Sequence, residues 1–486
     1  MPSLILALAH AGEFMDVAIT TALQDTNVRA GPEYFSPGPN FVQRGTQTFF
    51  ENYEGRFTDD ISQGHLVLYK QDDGFRDGWW TEAAFVLQYT PYLNPDITRP
   101  GIDLRDDGSY VRIVRDIGED SNISLTGYAV DASRFRLGYS WDLSYGGREI
   151  HTPSVGAVPG ARLQYQKGGH YLFAGAKTAI NQGTDTDWAV EGDRNTVYYS
   201  SLFGGGTTLA SEKLRIEGGL GFFQQGESRN GGSAASPLYG ELINAMGVSG
   251  QVAFRTTTEL SFIQSSELRL PRNGPDFMRD TYISHNQLDG FGLLVQGEVN
   301  RLSHNLLDAD NSGSTVIESG IGGDLQAVAV FNTTEVAVDL VYKDLEYIVF
   351  NVPGLTSGTS IPSALTTTPQ YYGRLTLSHY LPQQHVSFSA GAGLMQPASY
   401  TDSEGKTYVQ YTARNKEQVP DEEPAYNILG GVVATQIDVS PSTIVVGELL
   451  YTLDNNLSRT VDGARVAEPQ EVRQALGFNV MLRARF

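Results

Sequence analysis

Residues 476–486 alternate without a break. Leu476, Phe478, Val480, Leu482, Ala484 and Phe486 are apolar, and Gly477, Asn479, Met481, Arg483 and Arg485 stand between them. A period of two puts successive side chains on opposite faces of a strand. One face of this strand is therefore continuously greasy, and the other carries two arginines and an asparagine. The greasy face must be covered, by the core of a soluble β-sandwich or by lipid. Whether the rest of the chain repeats the pattern decides between them.

The pattern does recur. Its longest run sets Phe135, Leu137, Tyr139, Trp141, Leu143 and Tyr145 against Arg134, Arg136, Gly138, Ser140, Asp142 and Ser144. Leu214, Ile216, Leu220 and Phe222 alternate with Arg215, Glu217, Gly219 and Gly221, and Val336, Val338, Leu340 and Tyr342 alternate with Glu335, Ala337, Asp339 and Lys343. Weaker examples, one of them at 258–265, bring the total to about eighteen to twenty segments, most near the roughly 9–11 residues that a tilted strand needs to cross a bilayer. Single-chain membrane barrels of bacteria carry an even number of strands. A sandwich would place charge on its outer face, not Trp141 flanked by tyrosines. The expected fold is all-β: one large antiparallel transmembrane β-barrel of about 18–20 strands over residues 62–486.

Connection lengths test this independently. Short links at 130–133, 167–170, 255–258, 332–334 and 439–442 alternate with long ones at 179–194, 224–246, 266–289, 302–321, 344–370, 395–426 and 454–473. Hairpins with short turns on one side of a membrane and long loops on the other require this. The alternation fails once, because 266–289 and 302–321 both read as long with a single strand between them. Either a strand is hidden in 281–287 or one connection on the short side is long. The stretch 90–121 is similarly irregular.

Residues 12–61 alternate poorly and hold Pro32, Pro37 and Pro39 close together. Proline cannot donate to a ladder, so this part reads as an irregular extension or plug. Residues 1–11 pass from an apolar run, Leu4 to Leu8, into Ala9-His10-Ala11, which matches the end of an export signal lacking its charged start.

Composition excludes several classes. A net charge of −22 argues against nucleic acid, whose binding is dominated by basic contacts to phosphate. With Cys 0 there are no disulfides, thiolate nucleophiles or Cys-based zinc sites. No stretch approaches the roughly 18 apolar residues of a membrane helix, so a membrane span here means a closed barrel, the alternative that satisfies every backbone group. The eight histidines form no H-E-x-x-H, and G-x-S-x-G and a P-loop are absent. The chain reads as a non-enzyme, with a rim hydrolase built on a spatial triad as the alternative.

A strand that ends the chain on Phe486 with this alternation resembles the last strand of Gram-negative outer-membrane β-barrel proteins of porin-like type. That resemblance implies that Phe486 is part of an assembly signal read by the barrel-assembly machinery, with outer-membrane lipid and lipopolysaccharide as surroundings. The stretches 65–89 and 134–147 resemble, more narrowly, outer-membrane proteins of myxobacterial type, which implies no particular activity.

On this reading Phe135, Leu137, Tyr139, Trp141, Leu143, Tyr145, Phe478, Val480 and Leu482 face lipid. The opposite face lines a lumen, with Arg134, Arg136, Asp142, Arg162, Arg215, Glu217, Glu335, Asp339, Lys343, Arg374, Glu448, Arg473, Arg483 and Arg485 as its charged candidates. A barrel of this size is too wide for wall side chains alone to fill, and charge inside it needs water or a partner. The expected function is a water-filled channel or conduit. The alternatives are the pore of a polysaccharide or other export system and a structural barrel in an envelope complex for adhesion or motility, with periplasmic or envelope-complex partners. No cofactor is expected, except that Asp308, Asp310 and Ser312 ahead of Gly313 have the spacing of a calcium loop. The closing acid is out of register there, since the twelfth position is Ser319.

Overall fold

The computed structural model describes residues 15–25, 27–29, 61–94, 99–106, 108–132, 135–138, 140, 143–146, 158–182, 195–227, 242–262, 283–311, 313–350, 359–411, 416–421 and 423–486. Residues 1–14, all of 30–60, the acidic stretch 183–194 and the individual positions Arg134, Tyr139, Trp141, Asp142 and Ser312 lie outside them.

The strands run in chain order as β1 (Asp16–Asp25), β2 (Ile61–Asp73), β3 (Trp79–Asn94), β4 (Arg99–Asp106), β5 (Tyr110–Gly118), β6 (Ser121–Tyr128), β7 (Gly160–Lys167), β8 (His170–Gln182), β9 (Asn195–Leu209), β10 (Leu214–Glu227), β11 (Leu242–Arg255), β12 (Phe291–Leu307), β13 (Thr315–Phe331) and β14 (Thr334–Lys343). A short β15 (Thr366–Thr368) precedes β16 (Gln370–Leu381) and β17 (Val386–Gln396). Three more short strands, β18 (Ala398–Thr401), β19 (Thr407–Gln410) and β20 (Lys416–Gln418), precede β21 (Ile428–Ser440) and β22 (Thr443–Leu453). The hairpin of β23 (Ser458–Val461) and β24 (Ala464–Ala467) comes before β25 (Gln474–Arg485).

Each long strand pairs antiparallel with its neighbours in sequence, and β1 pairs with both β2 and β25. The sheet therefore closes. β4 and β5 lie along successive parts of β3, at 87–94 and 79–84, and share one stave, so the barrel has 18. The short strands stay outside the wall, as a four-stranded sheet of β15, β18, β19 and β20 and as the β23–β24 hairpin.

Alternation builds the wall. Along β12 the buried residues Leu294, Gln296, Glu298, Asn300, Leu302 and His304 face inward, and Val299 on the outer face is 61% exposed. The outside is greasy all round: Leu172, Phe203, Leu220, Val252, Leu325, Leu340, Leu375, Val433, Leu449, Val480 and Leu482 are all exposed. An apolar exterior over a polar interior inverts the soluble pattern and suits a bilayer, because closure leaves no unpaired edge. Among the described residues no helix is long and apolar enough to cross a membrane.

Three expectations change. The run Phe135 to Tyr145 is not a stave. It lies in the connection between β6 and β7, its only ladder contact among the described residues is the single bridge Leu137–Tyr145, and Phe135, Leu137, Leu143 and Tyr145 are almost wholly buried instead of facing lipid. The reach of the irregular N-terminal segment also shortens, because residues 16–25 form β1 and close the barrel against β25. Third, 258–265 holds no strand in its described part, and none lies in 283–287. The long connection on the short-turn side, between β11 and β12, accounts for the break in the alternation of loop lengths.

Candidate functional site: the lumen and its inward segments

The inner wall is laid down by alternate residues of the staves. β5, β7 and β8 contribute Arg112, Arg162 and Lys177, and β12, β13 and β14 contribute Glu298, Asp324, Glu335 and Asp339. These two arcs differ in sign, while on the rest of the wall, as at Arg215 and Glu217 of β10, both signs mix. Where opposite charges meet they pair: Arg112 with Glu82 at 2.9 Å, Arg215 with Glu217 at 3.2 Å, and Arg374 with Asp339 at 2.7 Å. The lone pairs left over take further donors. Glu217 accepts from Tyr171 and from Gln251 at 2.7 Å, Asp339 accepts from Gln326 at 2.7 Å, and Glu448 accepts from Asn479 at 2.8 Å. Gln164 Oε1, Asn300 Oδ1, Thr376 Oγ1 and Asn479 Oδ1 are buried without a hydrogen-bond partner among the described residues. Buried polar atoms of this kind call for water.

Arg162, Arg215, Glu217, Glu335, Asp339, Arg374, Glu448 and Arg483 all stand buried on the inner wall. Lys343 and Arg485 sit half-buried at strand ends. Arg136 is inside the barrel too, but on the inward connection, where it donates to the Ser144 carbonyl. Arg473 is off the wall, in the short helix Gln470–Arg473, and holds its own loop through Glu468 O and Asn455 Oδ1. On the outer face Leu482, Val480 and Phe486 are exposed, with Phe478 half-exposed. Asp308 is occupied locally, accepting from the backbone N–H groups of Asp310 and Asn311 and from the Ser314 hydroxyl, while Asp310 accepts from the N–H of Ser363.

Three segments fold into the lumen. The first is the β6–β7 connection. Its greasy side lies on a patch of the inner wall where β8, β10 and β11 carry Gly175, Gly219, Gly221 and Gly247. Phe135 rests edge-on against Phe173 at 6.0 Å, and Tyr145 against Phe223 at 6.0 Å. Lys177 donates to the carbonyls of Ala132 and Phe135, and Glu298 accepts from the N–H of Ser140 at 2.9 Å.

The second segment follows β14, as the helix Leu345–Phe350. Asp344 caps it, accepting from the N–H of Tyr347 at 2.9 Å and from that of Ile321 at 2.7 Å. Burial pushes the Asp344 carboxyl up to about 6 against those bonds, with Glu346 adding to the rise. Tyr347 reaches the first segment, donating to the Leu143 carbonyl, and Asn300 donates to both Leu143 O and Tyr347 Oη. The two segments and the wall thus meet at one point.

The third comes from the opposite end, as parts of 256–290. Leu260, Phe262 and Leu288 pack on Ala253, Leu294, Val328, Val330 and Ala337, and the Arg255 guanidinium lies over the Phe262 ring at 4.3 Å. Residues 283–286 bond to β14 and β21 of the wall.

Sequence reasoning missed all three. The first two leave a trace, because inward-facing glycines in regular strands mark close approach by another backbone. Gly175, Gly219, Gly221, Gly247, Gly320 and Gly322 do this here. The third leaves a trace in its length.

No protein-family model matches the chain, and no curated protein matches it. Among solved structures, OccK1 (OpdK) of Pseudomonas aeruginosa aligns with 97% of this chain and 98% of its own at 7% identity and a TM-score of 0.47. OccAB2 of Acinetobacter baumannii aligns over 98% of both chains at 7% identity and a TM-score of 0.48. OmpT, an outer membrane protein of Vibrio cholerae, aligns with 97% of this chain and 96% of its own at 9% identity and a TM-score of 0.37. Likeness this distant assigns no function. The narrower resemblance to myxobacterial-type proteins finds no support.

Proposed function

We propose that the chain is a channel of a bacterial outer membrane, with the short turns and both barrel ends β1 and β25 on the periplasmic side. One observation carries this: a closed wall of 18 staves that is apolar outside and charged inside. Closure satisfies the backbone in lipid, and a ring of this size encloses more space than its own side chains fill. Cations on the β5–β8 arc and anions on the β12–β14 arc set a transverse field, which sorts solutes by charge at the level where the inward segments narrow the bore. Outer-membrane lipid and lipopolysaccharide surround such a barrel, and the barrel-assembly machinery would insert it. A non-enzymatic role fits the same architecture, in which Arg112, Arg215 and Arg374 pair with carboxylates and Lys177 and Glu298 position a loop.

The test is conductance of the purified protein in planar bilayers. Stepwise, salt-dependent openings are expected, smaller than those of an unobstructed barrel. Traces that stay closed in the intact protein and after removal of the β6–β7 connection would defeat the channel reading and favour a structural barrel.

A further inference from the structure

Residues 283–286 are held on the periplasmic side of the lumen by one polar cluster. The Ile283 N–H donates to Gln436 Oε1 at 3.0 Å, and the Ser284 hydroxyl and the Asn286 amide both donate to Glu335 Oε2. Between them the His285 ring stacks on Tyr380, with centroids 4.1 Å apart and planes 12° from parallel. One ring nitrogen lies 3.7 Å from Asp438 Oδ2, and the other is 3.2 Å from Gln436 Nε2. Gln436 itself donates to Asp438 at 2.7 Å. The anchors come from β14, β16 and β21, none of which adjoins the staves β11 and β12 that the connection joins. The segment therefore crosses part of the bore.

We propose that His285 is a latch, holding residues 283–290 across the periplasmic mouth while its ring is neutral and releasing them when it is protonated. The proposal rests on the channel reading and adds regulation to it. The groups facing His285 are Asp438 and Gln436 from β21, Tyr380 from β16 and, through its neighbours Ser284 and Asn286, Glu335 from β14; the turn before β17 adds only the His385 carbonyl, bound to the Asp438 N–H. Burial lowers the affinity of the docked ring for a proton, and the attraction of Asp438 offsets this only in part. A histidine whose docked value lies below its free value stabilises docking fully above the free value, about 6.5, and loses that contribution as pH falls through and below it. Protonation also converts a stacked, hydrogen-bonded neutral ring into a buried cation, which water in the lumen would solvate better.

The chain has no cysteine, so Gln287→Cys with Ser442→Cys gives a unique spin-label pair on exposed positions of the segment and of the β21–β22 turn. Inter-label distances are read in the full-length protein at pH about 7.5 and about 5, bracketing the ordinary histidine value. A second, longer distance should appear at acid pH, together with larger conductance. His285→Phe keeps a ring to stack but cannot take up a proton, and it should abolish both changes while leaving the folded barrel intact on unheated gels. Distances that ignore pH, or that respond equally in His285→Phe, would overturn the latch. Distances that respond as expected in a protein that never conducts would support the latch and defeat the channel.

Discussion

At Gly175, Gly219, Gly221 and Gly247 the inner wall is cut away to admit a hydrophobic loop. A Cβ on Gly219 would come 2.8 Å from a Leu137 methyl group, and one on Gly175 would come 2.5 Å from the Phe135 ring. At Gly175 the added atom would also meet the Ala161 carbonyl of the wall at 2.5 Å, whereas at Gly219 the only wall atom as near as the loop is the Ser249 hydroxyl at 2.8 Å, the end of a rotatable side chain. Gly219→Leu should therefore leave the barrel closed but lift the β6–β7 connection off the wall. The cost is about 1–3 kcal/mol, as for other overpacked sites. Single-channel conductance should rise, and unchanged conductance would mean that the loop does not narrow the path. The same residues show how legible the site was. Arg162, Arg215, Glu217, Asp339 and Arg374 were readable as inner-face residues from period two alone. Their partners were not, because pairs such as Arg374–Asp339 depend on cross-strand register, which the alternation of one strand leaves open.

Among the elements, β25 and the helix Leu345–Phe350 each end on a contact that can be tested. Phe486 closes the ring: its N–H donates to Val17 O, and its carbonyl accepts from the Val17 N–H, at 2.8 and 3.0 Å. Its side chain is exposed on the outer face. Phe486→Ser should lower the fraction of protein that runs as a compact, heat-modifiable barrel, and normal levels would refute a role in assembly. For the helix, the cap supplies the prediction. Asp344 has a raised value, from 3.8 to about 6, so the docked helix binds the proton more tightly than the released one. Docking then strengthens as pH falls through about 6 toward 3.8, and the ionised carboxylate opposes it at neutral pH. Hydrogen exchange corrected for intrinsic rates should show residues 345–350 better protected at acid pH, with Asp344→Asn removing the difference. The element most misread from sequence was the run from Phe135 to Tyr145. An extended segment with one greasy face looks the same whether lipid or an inner wall covers that face, and only the chain around it decides which.

On the scale of the whole molecule, closure and filling are separable. Barrel closure depends on ladders between staves, and none of these passes through the β6–β7 connection. Replacing residues 133–157 by a short glycine–serine link should yield a folded barrel with larger and less charge-selective conductance. Failure to form a heat-modifiable barrel would show instead that the inward loop is part of the folding core. The inward segments enter from both ends and carry opposite responses to acid: the capped helix on the long-loop side tightens, while the His285 segment on the short-turn side loosens. The two mouths are thus set to different conditions by different titrating groups.

The amino-acid sequence determined most of the staves, though not β1, and the apolar exterior and charged interior, because a period of two reports directly which side of a strand each residue faces. It also revealed the one anomalous connection through its length. What only the tertiary structure decided is what fills the bore. Three segments with ordinary local patterns find their covering surfaces in residues far away in the chain: Leu143 against Tyr347, Ser140 against Glu298, and His285 against Tyr380 and Asp438. These contacts exist only once the barrel has closed, since closure is what brings the distant staves to face one another.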